Sequence, residues 1–427
     1  MPAAQVDSVA MLLAASAVAF VFALVVRRWP VLGLTAYIGV LMFIPTWAGV
    51  KVHFYISPTL AVGALVVVCL VSRGVGRLAI FDLAMTLLIG TVTLALVVGA
   101  ISLASYVAVV GSWLVPYLTG RLIGTHVEAQ WVRTVIAVGI IGVAVLAIAE
   151  FATGRNIFIE TFNSGTGFSI WGTLQMRGGR IRVEGAFGHS IALGATLAMC
   201  VPFVWASRLH AWVKLAGIGL IAFAASLTFS RIGMVSTAFA FLLSLMLLRR
   251  YVSPRVGRWA VGLLVVATIA AAPTVRSVFS AAGQEASASA LYRGSLTSLL
   301  PAMSVFGQSG DYFRTTSGAG GFGSFDSIDS AAILIGLSFG FAVLAYLLVW
   351  AAVAAVGAFR RRSPELVSAV SIFPALTSVA FITQFTDFFW FVVGLAVAEW
   401  ASAKPGLAAR DDLRGEVPSS AAVVLSP

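Results

Sequence analysis

From Leu83 to Gly120 the chain carries no Lys, Arg, Asp or Glu, a run nearly twice the roughly 20 apolar residues that one helix needs to cross the hydrocarbon of a bilayer. Lipid offers no partner to backbone N–H and C=O groups, so such a run has to stay helical and turn back on itself. The spacing predicts a tight helical hairpin with its turn near Gly99 or Ser102. The remainder has the same character: 60% of the 427 residues are hydrophobic, 10% are charged, and the mean hydropathy is +1.01. Soluble chains carry about 25% charged residues, so a water-soluble globular protein is excluded. A transmembrane β-barrel is excluded as well, because its strands alternate apolar and polar residues, whereas Ser8 to Val26 is one uncharged block.

Cutting the chain at its charges and Pro/Gly breaks gives thirteen candidate spans, at 8–26, 31–49, 57–72, 79–98, 101–118, 134–151, 188–206, 214–229, 232–248, 259–273, 331–352, 366–383 and 386–402. The fold class expected is therefore all-α, a polytopic transmembrane helical bundle. The first run follows Asp7 with no Lys or Arg before it, so it reads as a retained helix and not as a cleaved signal. Residues 1–403 read as a single transmembrane domain, and 404–427, with its mixed charges, Pro and Ser, as a disordered cytoplasmic tail.

A net charge of +11 would, in a soluble protein, prompt a search for nucleic acid. In a membrane protein it first reports orientation, because cytoplasmic loops collect Lys and Arg. With the N-terminus outside, 18 of the 27 cations fall on the inner side: Arg27 and Arg28, Arg73 and Arg77, Arg121 and Arg133, Arg208 and Lys214, Arg249, Arg250, Arg255 and Arg258, Arg360 to Arg362, and Lys404, Arg410 and Arg414. Nine lie outside: Lys51, Arg155, Arg177, Arg180, Arg182, Arg231, Arg276, Arg293 and Arg314. Two outer loops are long, about 152–188 and 274–330, and the stretch Ser317 to Ser324 of the second reads as a mobile lid. Cys69 and Cys200 both fall inside spans and form no disulfide framework. His53, His126, His189 and His210 are scattered, with no HExxH, Walker or GxGxxG pattern, so nucleotide-driven transport and zinc proteolysis have no support.

Chemistry concentrates in three places. Arg180-Ile181-Arg182-Val183-Glu184-Gly185-Ala186-Phe187-Gly188-His189 puts cations where orientation rules disfavour them. There Arg182 can serve as a donor to an anion, Glu184 as its orienter or as a base, and Arg180 and His189 as substrate contacts; interfacial snorkelling by an Arg with a Glu partner is the structural alternative. Thr228-Phe229-Ser230-Arg231 leaves Arg231 between two spans with almost no loop, facing a polar cavity or paired with an acid such as Glu150 or Glu184. Tyr292-Arg293 and Asp326-Ser327-Ile328-Asp329-Ser330 lie in the second outer loop, where Asp329 or Ser330 can cap the next helix. Asp326 and Asp329 make a weak metal pair with no third ligand nearby, so no metal or other cofactor is expected. Outward arginines with one or two carboxylates suit transfer from a lipid diphosphate: guanidinium groups bind the anion and stabilise the charge on the leaving group, and a carboxylate takes the acceptor's proton.

These motifs, together with Gly320-Gly321-Phe322-Gly323, Ile328-Asp329-Ser330 followed by Gly336, and Phe389-Trp390-Phe391-Val392-Val393-Gly394-Leu395, give the chain from about 110 to 400 a pattern that resembles the O-antigen ligase and O-antigen polymerase superfamily of bacterial envelope glycan assembly. The resemblance implies a GT-C-type fold in the bacterial inner membrane and metal-independent transfer, on the periplasmic or outer face, from an undecaprenyl-diphosphate-linked glycan to a glycan acceptor. Arg182 and Arg231 take the diphosphate-binding role by motif position, Arg293 is a third, and the base is Asp329 or Glu184. Ligases of the family carry a His just before the span that follows the large loop, where this chain has Asp329 and Ser330; that departure favours a polysaccharide polymerase, with a chain-length regulator as a further partner. The alternatives are a ligase or protein oligosaccharyltransferase, and, from another class, a transporter of an anionic or lipid-linked solute.

Overall fold

A computed structural model describes residues 17–52, 54–165, 167–283, 291–314 and 320–402; the expected tail at 404–427 and residues 317–319 of the expected lid lie outside these. The chain is a helical bundle of α1 (17–28), α2 (Pro30–Phe43), α3 (Pro58–Val71), α4 (Ile80–Val97), α5 (Leu103–His126), α6 (Ala129–Thr153), α7 (Ser190–Ala206), α8 (Ala211–Leu227), α9 (Arg231–Leu247), α10 (Pro254–Ala281), α11 (Ala331–Phe339), α12 (Phe341–Arg361), α13 (Pro364–Leu376) and α14 (Thr383–Ser402). Among the described residues α4, α5, α6, α10, α12 and α14 are long and apolar enough to cross a membrane, and six further apolar helices are shorter. The protein is a multi-pass membrane protein by length and composition of its helices.

The uncharged run folds as a hairpin, and both expected turn residues take part. Gly99 sits at φ +73° after α4, and the Ser102 hydroxyl caps α5 by accepting from Ser105 N at 3.1 Å. Other boundaries differ from the sequence expectation. The span at 101–118 runs on to His126, because Arg121 is buried against Asp82 and so does not end the helix. The span at 259–273 lengthens to Pro254–Ala281, which shortens the second outer loop from its start. The span at 331–352 is two helices, broken at Gly340 (φ +93°). Loop backbone displaces the helix there: Phe341 N donates to Ser304 O at 2.8 Å, and a Cβ on Gly340 would stand 2.7 Å from Phe306 Cα. The span at 366–383 is likewise shorter and interrupted. Gly320–Phe322, within the expected lid, is a strand paired with Tyr312–Arg314, and Phe322 is buried.

Alternate connections gather at opposite ends. At one end Arg73 Nη1 donates to Arg27 O at 2.7 Å, His126 bonds Gly74 O at 2.8 Å, Arg208 pairs with Glu128, and Arg250 reaches Arg362 O at 3.3 Å. At the other, Trp47 Nε1 donates to Phe162 O, Val183 N to Leu227 O, Gln308 N to Ala100 O, and Gln384 Nε2 to both Ile44 O and Ala186 O. Two of the cations counted as loop charges are internal instead: Arg121 pairs with Asp82, and Arg133 forms a two-pronged bond with Glu365 at 2.8 and 3.1 Å.

Helix α7 runs through the middle, and each of its residues is buried, as expected of a helix that is apolar all round. Helices α5 and α14 meet backbone to backbone. Gly120 lies against Phe391 O and Leu395 N, Gly124 against Ala398, and Gly394 against Tyr117 O, the small-residue packing that lets membrane helices approach. A Cβ on Gly394 would lie 2.1 Å from Tyr117 O and 2.7 Å from Arg121 N. Neither atom can retreat without breaking a helix, so Gly394→Ala should cost about 1–3 kcal/mol or more by overpacking. A melting temperature in detergent equal to wild type would show that this contact is looser than the geometry states.

Candidate functional site

The site is assembled at the end of the bundle where α6, α8 and α10 finish and α7, α9 and α11 begin. A short hairpin, β1 (Met176–Arg177) and β2 (Arg180–Ile181), enters it, turned by Gly178 and Gly179, both in the left-handed region at φ +52° and +73°. Arg177 and Arg180 are directly opposed across this hairpin, a like-charge pair that disfavours the turn unless something negative is near. Arg180 is exposed, while Arg177 turns inward and donates to Phe229 O at 2.8 Å. Arg182 is buried, and its Nε donates to Thr228 O at 3.0 Å.

Those two carbonyls belong to the Thr228-Phe229-Ser230 turn. Phe229 is held at φ +45°, a region a side chain of this size rarely adopts. Strain of this kind persists only where surrounding contacts enforce it, and it collects at functional sites. The turn ends with Ser230 Oγ accepting from Gly233 N, so Arg231 becomes the first residue of α9. Arg231 is exposed at the rim and pairs with neither Glu150 nor Glu184, the acids weighed as its partners. Its guanidinium lies 4.6 Å from the centre of the Phe279 ring, and that of Arg177 lies 5.6 Å from the same ring. Two cations on one aromatic ring are each favoured by its face and opposed by each other.

Beneath them Glu150 spends its carboxylate on structure. It accepts from Glu184 N at 3.1 Å, Gly185 N at 2.9 Å and Asn156 Nδ2 at 3.1 Å. Glu184 is wholly buried, and its carboxyl oxygens lack hydrogen bonds among the described residues. Burial first, and then the charge of Glu150, push its pKa up to about 9 against the opposing pull of Arg182. The Glu184 carboxyl is therefore a neutral acid at pH 7 and ill suited to be a base. Its titration has a sign that can be checked. The unfolded carboxyl loses its proton near pH 4.3 and the folded one near 9, so the associated stability is full below the first value and declines as pH rises to the second, by up to about 1.4 kcal/mol per pH unit. Glu184→Gln should lack this decline, and the wild type should lose melting temperature relative to it between pH 7 and 9. Parallel curves would contradict the assignment. His189 does not interfere in that window, because burial and then Arg182 push its pKa down to about 4; the neutral ring caps α7, with Nδ1 accepting from Ile191 N, and stands edge-on to Trp171.

The third side is the segment between α10 and α11. It has its own small core of Leu296, Leu299, Phe322, Ile328 and Leu337. Tyr292 OH donates to Ser327 O and its ring meets Phe325, which holds Arg293 beside the entry to α11. Ser330, not Asp329, caps that helix. Asp329 is left half-buried, with Arg293 and Arg182 as the cations that act on it; burial outweighs both and raises its pKa above the ordinary carboxylate value.

Thus Arg182, Glu184 and His189 lie together on the segment that enters α7, Arg231 is exposed beside it, and Asp329, before α11, is within electrostatic reach of both Arg293 and Arg182, while Arg180 is exposed. Sequence reasoning passed over Arg177, whose place in Arg177-Gly178-Gly179-Arg180 was a turn signal. It also passed over Asp387, a buried carboxylate on α14 that lines a separate cavity and has no other charged residue near it in sequence to form a motif. No family model, curated protein or solved structure matches the chain.

Proposed function

We propose that the protein is an integral membrane glycosyltransferase of GT-C-like architecture. In this reading it lies in the bacterial cytoplasmic membrane, with the arginine site facing away from the cytoplasm. It moves a glycan from an undecaprenyl-diphosphate carrier to a sugar hydroxyl of another lipid-linked repeat unit, so lengthening a polysaccharide. The observation that carries this reading is the gathering of like charges: Arg177 and Arg231 on one Phe279 ring, with Arg182 and Arg293 both within electrostatic reach of Asp329. Mutually repelling guanidinium groups held by backbone carbonyls and an aromatic ring fit a multiply charged anion such as a diphosphate.

In the proposed reaction the acceptor oxygen bonds to the anomeric carbon as the bond from that carbon to the diphosphate oxygen breaks. The electron pair leaves with the diphosphate, whose added charge Arg182, Arg231 and Arg293 stabilise. Asp329 takes the acceptor's proton; a pKa raised from the usual carboxylate range makes it a better base at neutral pH than a free aspartate. Glu184, neutral and enclosed, supports the wall from behind. The test is purified protein in proteoliposomes with a purified lipid-linked repeat unit. New glycosidic bonds and released carrier diphosphate support the enzyme; movement of intact substrate across the bilayer without bond formation supports a transporter and sinks this reading.

A further inference from the structure

A cavity of about 710 Å³ opens between α3, α5, α11 and α14, within the size range of small-molecule sites. Its walls are mostly apolar, with Leu60, Leu103, Val107, Leu334, Ile335 and Phe339 among them, and Asp387 is the one charged residue in the lining. No Lys or Arg reaches it among the described residues, in contrast to the arginine site. Asp387 is 3% exposed. Thr59 Oγ1 donates to its Oδ2 and Ser112 stands beside it, yet Oδ1 receives no hydrogen bond at bonding geometry. A carboxylate kept in an apolar wall with one oxygen unserved is costly. A second feature points to the same place. Helix α5 is interrupted by a π-helical turn at Val110–Leu114, and Gly111, Ser112 and Trp113 of that turn line the cavity. Such turns interrupt regular hydrogen bonding at a cost and recur at functional sites; here the turn brings Ser112 to Asp387.

We propose that this cavity is a second ligand site, which takes an alkyl or prenyl chain ending in a hydrogen-bond donor, a hydroxyl or an ammonium, and rejects a phosphate. The apolar wall accepts the chain, the Asp387 carboxylate accepts the donor, and the lack of any cation leaves an anionic head unpaired in a medium of low dielectric. The site is independent of the glycan-transfer reading, since its occupancy is measured by labelling and not by turnover.

The test uses the full chain in nanodiscs with three photoreactive probes built on one long chain: the alcohol, the amine and the phosphate ester. The alcohol or the amine should label peptides containing Leu103–Ser112 and Ala331–Phe339, and unlabelled ligand should compete; which of the two labels better distinguishes a lipid alcohol from a lipid amine. Asp387→Asn should weaken apparent affinity for the better probe by about tenfold, the loss of one charge-assisted hydrogen bond. Leu334→Trp, which fills the cavity from its rim, should remove labelling while the melting temperature is kept, and it carries the test if the Asp387 variant does not fold. Equal or stronger labelling by the phosphate ester, labelling outside these helices, or labelling unchanged by both variants would overturn the proposal.

Discussion

On the proposed reaction, Arg182→Ala should lower glycan transfer by roughly 10²–10³-fold, the loss that follows removal of one preorganised donor to a developing negative charge. The expectation rests on how the side chain is held. Arg182 is buried at the start of α7's approach, its backbone N donates to Gln175 O at 2.9 Å, and its Nε is spent on Thr228 O. The guanidinium is fixed before substrate arrives, so little ordering remains to be done in the transition state. Arg182→Lys keeps the charge but not the planar fork, and should recover only part of the loss. A collapse of the turn at Phe229 would mimic a catalytic defect; the melting temperature of each variant in detergent separates the two. Full-length polysaccharide made at the wild-type rate by a folded Arg182→Ala protein would remove this residue from the site.

Arg133→Ala should destabilise the bundle by about 3–5 kcal/mol, the cost of leaving a buried partner charge without its counter-ion. Arg133 and Glu365 are both at most 5% exposed, and their two-pronged bond joins α6 to α13. Glu399 of α14 approaches the same guanidinium at 3.5 Å, so three helices meet at one cation. The double variant Arg133→Met with Glu365→Leu removes both charges and fills their volume, and should recover much of the loss. The measurement is the melting temperature of purified protein. A single variant as stable as wild type would show the pair to be dispensable.

The contrast between these two arginines shows how far sequence carries. Hydrophobic run length located most helices within a few residues, because lipid forces backbone polar groups into helices whatever the tertiary contacts. It failed where tertiary contacts override length: at Gly340, where loop backbone replaces a helical turn, and at Arg121, where a partly buried aspartate lets a cation sit inside a helix. Charge counting sorted cations by side but could not distinguish Arg133, an internal bridge, from Arg208 at the surface; both are a lone Arg beside an apolar run. Arg182, Arg231, Arg293 and Asp329 stood out as candidates because charge at that boundary is expensive, and the fold brings Arg182 and Arg293 within electrostatic reach of Asp329. The roles of Glu150 and Glu184 were not, since they depend on which carboxylate receives the backbone N–H groups of Glu184 and Gly185, and that is decided by the fold.

Helix α7 has no residue facing lipid. Its apolar sequence therefore serves close packing and not partition into the bilayer, and it has no free face along which to slide or rotate. The candidate arginine site is built against the first turn of this enclosed helix. The segment that carries Arg293 and Asp329, by contrast, has only a small core of its own. On the proposed reaction, room for two bulky glycans has to come from the side of that segment, whose few apolar contacts part more readily than those enclosing α7.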